Sequence, residues 1–207
     1  MSTAATAQPP QDARAAAAAS RLQDALVWID CEMTGLDPDS DVIIEIFCLI
    51  TDGQLELLDE SGWGTIVHQP KERMDMMDDW CTRVHGNSGL TSAVIESDVT
   101  PEQAADELLA YIQKHVSQRG VALLAGNSVH ADRAFLRKEP YKQVIDYLHY
   151  RILDVSSLKE AALRWCPKIA GAAPEKKGLH KAKQDILESI EEARFYKSVI
   201  FAPHDHA

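Results

Sequence analysis

The sequence contains no C-x-x-C pair. Its four cysteines, Cys31, Cys48, Cys81 and Cys166, are widely spaced along 207 residues. That excludes a dense disulfide framework and leaves no cysteine–histidine cluster for structural zinc; the thiols read as small buried hydrophobes in a reducing compartment. No apolar stretch is long enough to cross a bilayer, so no membrane partner is expected. Basic residues are scarce: 21 Lys and Arg face 32 Asp and Glu, for a net charge of −11. Such a balance excludes a protein that coats long nucleic acids through a broad basic surface. It does not exclude an enzyme that meets phosphates through bound cations. An acidic enzyme of that kind should favour short substrates, which have few phosphates to neutralise. We find no internal repeat.

What is present suits one domain. The chain is long enough for a substantial core, and 45% of its residues are hydrophobic. Residues 1–24 are rich in Ala, Gln, Pro and Ser and read as a disordered arm. In that arm Arg14 and Arg21 suit a mitochondrial transit peptide and Asp12 and Asp24 do not, so the expected location is intracellular, cytoplasmic or mitochondrial. Residues 25–201 read as an α/β domain and 202–207 as a disordered tail whose His204 and His206 are solvated. Strands are expected at Leu26–Cys31, Val42–Ile50, Leu55–Leu58 and Gly64–His68, with a tight hairpin at Asp52-Gly53. Short turns between them imply antiparallel neighbours. Thr100-Pro101-Glu102-Gln103 combines an N-cap, Pro at the first helical position and a capping-box Gln, and predicts a helix to about Val116. Val121–Ala125 reads as a buried strand, Ala131–Lys138 and Tyr141–Tyr150 as helices, and Arg151–Val155 as a strand. Ser157 is placed as the cap of a helix ending near Trp165. In the last helix Ile186, Ile190, Ala193 and Ile200 recur at helical spacing, with Glu188, Glu191, Glu192 and Lys197 expected in solvent.

Chemistry enters with Leu26-Val27-Trp28-Ile29-Asp30-Cys31-Glu32-Met33. Alternation on a strand puts Asp30 and Glu32 on one face and Cys31 on the other, toward the core. Two carboxylates side by side repel each other unless a cation lies between them, and oxygen ligands suit Mg²⁺ or Mn²⁺. Asp132 follows a Gly126-Asn127-Ser128 turn near the start of a helix, where no core needs an acid. Asp185 opens the last helix and His180 stands five residues before it. Five helical residues turn through about 500°, so the two cannot share a helix face. His180 therefore belongs to the entering loop, whose Lys176, Lys177 and Gly178 suggest mobility, and a histidine there suits a general base. Each piece alone carries little weight; a strand ending in D-x-E, then G-N-S-x₃-D, then H-x₄-D carries more.

These three segments resemble the motifs of the DEDDh 3′→5′ exonuclease superfamily, and most closely those of its oligoribonuclease family. Further matching stretches are Trp28 to Leu36, Met77-Asp78-Asp79-Trp80 with His85 and Ser88-Gly89-Leu90, His149-Tyr150-Arg151, and Asp154-Val155-Ser156 with Leu158-Lys159-Glu160. The resemblance covers about residues 25 to 201 and departs from the family pattern in the N-terminal arm and at Ala170–Lys177. It implies an RNase H-like α/β fold, a mixed sheet flanked by helices. It implies hydrolysis of short oligoribonucleotides and dinucleotides to 5′-mononucleotides with two divalent cations, Mg²⁺ or Mn²⁺. Asp30 would bridge both ions, Glu32 and Asp185 would complete one site, Asp132 would support the other, and His180 would take the proton of the attacking water. Trp80 and Tyr150 would stack on bases, Leu36 would wedge between them, Ser128 and Arg151 would bind the 5′ phosphate, and His85 would contact a phosphate or the terminal ribose. Without the resemblance, Trp80, Leu36, Tyr150 and Arg151 read as ordinary packing or surface pairs. It further implies a homodimer in which Tyr150 and Arg151 reach the partner's site. The alternative is a DEDDh exonuclease of broader range, acting on single-stranded DNA or longer RNA 3′ ends.

Overall fold

The computed structural model describes residues 24–175 and 182–201. The proposed disordered arm up to residue 23, residues 202–207 and His180 lie outside the described residues. Five strands, β1 (Leu26–Met33), β2 (Ile43–Thr51), β3 (Trp63–Ile66), β4 (Leu123–Gly126) and β5 (Ile152–Asp154), form one mixed sheet in the order β3-β2-β1-β4-β5. The first three pair antiparallel, although longer loops than the expected short turns join them, and β1-β4-β5 pair parallel.

The helices follow in chain order. They are α1 (Lys71–Met74), α2 (Asp79–Ser88), α3 (Leu90–Glu96), α4 (Pro101–His115), α5 (His130–Leu136), α6 (Lys142–Tyr147), α7 (Val155–Trp165), α8 (Pro167–Ala170) and α9 (Ala182–Ile200). Both faces of the sheet are covered, which is why β1 is nearly all apolar up to Ile29. On one face Val27, Ile29 and Cys31 pack with Leu108 and Ile112 of α4 and with Phe135 and Val144. On the other, Leu26 and Trp28 pack with Val155 of α7 and Ile186, Ile190 and Tyr196 of α9. The buried Trp28 indole donates to Thr51 Oγ1 at 3.0 Å, so its polar edge costs little. A smaller cluster, Ile44, Met74, Met77, Cys81, Leu90 and Val94, seats α1 to α3 against the end of the sheet.

Several elements differ from their sequence reading. The hairpin at Asp52-Gly53 is a wider loop. The Asp52 carboxylate accepts from Gln54 N and Glu56 N, Leu55 has φ 72°, and the expected return strand is reduced to one bridge, Thr51 to Leu57. The helix expected to reach Tyr150 stops at Tyr147, leaving His149-Tyr150-Arg151 outside it. Asp154, not Ser157, caps α7, by accepting from Ser156 N, because β5 runs directly into that helix. The three helices between residues 71 and 96 have no counterpart in the sequence reading. Thr100 caps α4 as read, accepting from Gln103 N at 3.2 Å. All four cysteines are free, three of them buried. Among the described residues no helix is long and apolar enough to cross a membrane.

Candidate active site

The site forms where β1 outruns its neighbour. Pairing between β1 and β4 ends at Trp28 with Ala125, so the next residues of β1 have no ladder partner on that side. Asp132, 7% exposed in the first turn of α5, fills the gap: its Oδ1 accepts from Cys31 N–H at 3.0 Å. On the opposite edge the β1–β2 register slips between Glu32 and Met33, a bulge that re-aims the strand end. Strand alternation then turns Asp30 and Glu32 toward α9, whose first turn supplies Asp185. Carboxylate oxygens of Asp30, Glu32 and Asp185 all lie within 4.8 Å of one another, and the three residues are half-buried. Asp132 lines the same cavity; its carboxylate is tied to the β1 backbone, and its charge acts on Asp30 more strongly than that of Glu32 or Asp185.

Burial and mutual repulsion strain this cluster electrostatically. Asp30 is pushed far above the usual carboxylate range, first by burial and then by the charges of Asp132, Glu32 and Asp185. Glu32 rises from its ordinary 4.5 to about 8, by burial and then by Glu45 and Asp185. Asp132 rises to about 7 by burial, against the pull of the Cys31 N–H bond. Asp30, Glu32 and Asp185 are close enough to hold one divalent cation between them and offer it an all-oxygen donor set.

A cavity of about 700 Å³ opens above the carboxylates and is lined by Asp30, Glu32, Leu36, Trp80, His85, Ser128, Asp132 and Asp185, among others. Leu36, on the turn after β1, is 83% exposed, and Trp80, in the first turn of α2, is 51% exposed. His85 is buried. Its Nε2 lies 3.0 Å from the Met33 carbonyl oxygen, and since a carbonyl only accepts, that nitrogen carries the proton. Ser128 has φ 51°, a strained value for a residue with a Cβ. Its N–H is held by Asp154 Oδ1 at 3.0 Å and Ser156 Oγ at 2.9 Å.

Tyr150 and Arg151 are not brought to this cavity. Tyr150 is 68% exposed and stacks on His149 at 4.5 Å, and the Arg151 guanidinium lies 4.9 Å from the Tyr150 ring centre. Sequence reading also missed a buried polar network. Glu192, expected in solvent, is 3% exposed, and Asn127 Nδ2 donates to it at 3.3 Å and to Ser189 Oγ at 2.7 Å. Ser189 in turn donates to the carbonyl of Asp185 at 2.8 Å, and Ser156 donates to Asn127 Oδ1. Asn127 therefore links the helix of Asp185 to the turn of Ser128. The helical spacing of Asp185, Ser189, Glu192 and Tyr196 was the signal for it. Glu45 was missed as well; it stands directly across β1–β2 from Glu32.

The profile of a family described as Exonuclease matches residues 27–193. "Oligoribonuclease, mitochondrial" of Mus musculus is 49% identical over 187 residues, covering 90% of this chain and 78% of that protein. The Oligoribonuclease of Rhodococcus jostii is 46% identical over 182 residues, covering 88% and 90%. Among solved structures, exonuclease I from Methylocaldum szegediense aligns with a TM-score of 0.60 at 13% identity, over 86% of this chain. Escherichia coli exonuclease I in complex with a dA16 oligonucleotide aligns at 0.59 and 15%, over 84%. The chain spans only 41% of each of those two chains, and at such identity the likeness speaks for the fold alone. The architecture is thus the RNase H-like one expected. With the family profile spanning most of its length and relatives at 46–49% identity matched over more than three quarters of theirs, this chain belongs to the oligoribonuclease family of the DEDD exonuclease superfamily.

Proposed function

We propose that this protein is a 3′→5′ exoribonuclease that hydrolyses short oligoribonucleotides and dinucleotides to 5′-mononucleotides. The observation that carries the proposal is the carboxylate trio lining the cavity, with oxygens within 4.8 Å and Asp132 on the same wall. Two divalent cations, Mg²⁺ or Mn²⁺, held by Asp30, Glu32 and Asp185 and supported by Asp132, would supply the positive charge that an in-line displacement at a phosphodiester needs. The chain's own residues do the rest. His180, on the segment entering α9, is assigned the proton of the attacking water. Leu36 and Trp80 present apolar surface to the bases, where stacking is worth about 1–3 kcal/mol per base. Ser128, with Arg151, is assigned the 5′ phosphate, and His85 the backbone or ribose near the scissile bond.

The reading of Tyr150 and Arg151 as residues that serve a partner's site is supported by their absence from their own chain's cavity wall. A homodimer built that way would cap the far end of the substrate. The cavity volume of about 700 Å³ falls in the range of small-ligand pockets, roughly 300–1,000 Å³, and the net charge of −11 disfavours binding of long RNA.

Length preference tests this reading against a broader exonuclease. We expect kcat/KM on a 5′-phosphorylated diribonucleotide to exceed that on a 20-mer by about 100-fold, equivalent to roughly 2.8 kcal/mol. Equal or better cleavage of the 20-mer, RNA or single-stranded DNA, would favour the broader activity.

A further inference from the structure

The turn between β1 and β2 holds out Leu36, which is more exposed than any other large apolar side chain among the described residues. An apolar side chain on a slack loop would collapse onto the surface. This turn is not slack. Thr34 N–H donates to Val42 O at 3.0 Å, Asp37 N–H to Asp41 Oδ2 at 3.1 Å and Thr34 Oγ1 to Asp41 Oδ1 at 2.9 Å. Gly35 sits so close to Asp41 that a Cβ there would lie 2.3 Å from its carboxylate oxygen.

Two cations reach the turn from outside it. Lys138 meets Asp39 at the exposed rim. Arg73, in α1, goes to the centre: its Nη2 is 2.6 Å from Thr34 Oγ1, 2.8 Å from Ser40 O and 3.0 Å from Asp41 Oδ1. The Arg73 and Asp41 side chains are 17% and 19% exposed, so this pair is far less screened than a surface bridge. Its backbone is anchored, since the next residue, Met74, is 2% exposed. From there the chain runs through Met77 to Asp78, whose carboxylate caps α2 by accepting from Cys81 N–H at 2.7 Å, and Trp80 follows in the first turn. The far end of α2 is tied back to β1 by His85 and Met33. One segment, residues 71–88, thus carries Trp80 and also grips the turn of Leu36.

We propose that Arg73 is a positioning residue for the base slot. It braces the Leu36 turn against the segment bearing Trp80 and so fixes the gap that two adjacent bases enter. Preorganising that gap spares the substrate the cost of ordering a loop, which is felt in binding more than in the chemical step. The inference rests on the short-RNA activity proposed above.

The test compares wild type with Arg73→Met on two substrates. One is a diribonucleotide; the other is the p-nitrophenyl ester of uridine 5′-phosphate, which has one base and needs no slot. We expect KM for the dinucleotide to rise about tenfold with kcat within about twofold, and hydrolysis of the ester to stay within about twofold. Arg73→Lys should recover part of the loss. In the Leu36→Ala background Arg73→Met should add no more than about twofold, since the two substitutions remove one shared feature. Should Arg73→Met fail to fold, Thr34→Val, which removes one hydroxyl of the brace, is measured in the same way. An unchanged dinucleotide KM, equal losses on both substrates, or independent effects of Arg73 and Leu36 would overturn the proposal. Failure of the wild type to prefer the dinucleotide over a 20-mer would instead overturn the functional reading beneath it.

Discussion

Asp30→Asn should lower turnover of a diribonucleotide by about 10²–10³-fold, the scale seen when a preorganised electrostatic contact to a transition state is removed. The same substitution should stabilise the cation-free protein. Asp30 lies beside Glu32 and Asp185 and is raised far above the normal range by burial and by their charge. Asn keeps its shape and is neutral at every pH, so folding need neither protonate nor bury a charge there. The sign of the pH dependence follows. Glu32 and Asp132, raised to about 8 and about 7, hold protons in the folded state that the unfolded chain has already released. Stability of the protein in chelator is therefore greatest near the ordinary carboxylate values and falls as pH rises toward about 8. Asp30→Asn should flatten that fall, and at pH 8 in chelator should raise Tm by about 5 °C, since 1 kcal/mol moves a domain of this size by roughly 2–4 °C. Saturating Mg²⁺ or Mn²⁺ should stabilise wild type more than the variant. Thermal melts with and without cation check this. A variant less stable than wild type in chelator would mean that Asp30 serves the fold rather than a cation site.

Mixing two inactive proteins should restore activity. Asp30→Ala removes a chain's own carboxylate and leaves its Tyr150; Tyr150→Ala does the reverse. If Tyr150 serves the partner's site, random exchange makes half the dimers mixed, and each mixed dimer keeps one intact site of two. Recovery should approach about a quarter of wild-type activity after exchange. The structural ground is the exposure of Tyr150, 68%, at a place that does not line its own cavity. Absence of recovery, with exchange proven by differently tagged subunits, would mean that each chain completes its own site.

Much of the site was legible because its geometry follows from periodicity. A strand that ends in Asp-x-Glu must present both acids on one face, and β1 does. The helix carrying Asp185 was equally plain, because Ile186, Ile190 and Ala193 repeat at its period and are buried. Other features depend on tertiary partners that no local pattern encodes. Glu192 looked like a surface acid until the fold brought Asn127 against it. Glu45 looked unremarkable until the register set it opposite Glu32. The reason for Asp132, a missing ladder partner for Cys31, appears only once β4 is seen to stop short. The cap expected at Ser157 falls to Asp154 because β5 runs straight into α7, so one residue ends the strand and caps the helix. Residues 71–96 show no single apolar stripe because three separate short helices share them.

The most direct measurement is product analysis on a 5′-phosphorylated diribonucleotide incubated with the full chain and Mg²⁺ or Mn²⁺. The account predicts conversion to nucleoside 5′-monophosphates alone, abolished by chelator and restored by added cation. Folded protein that leaves the dinucleotide intact with either cation, that cuts it undiminished in chelator, or that yields nucleoside 3′-phosphates would contradict it.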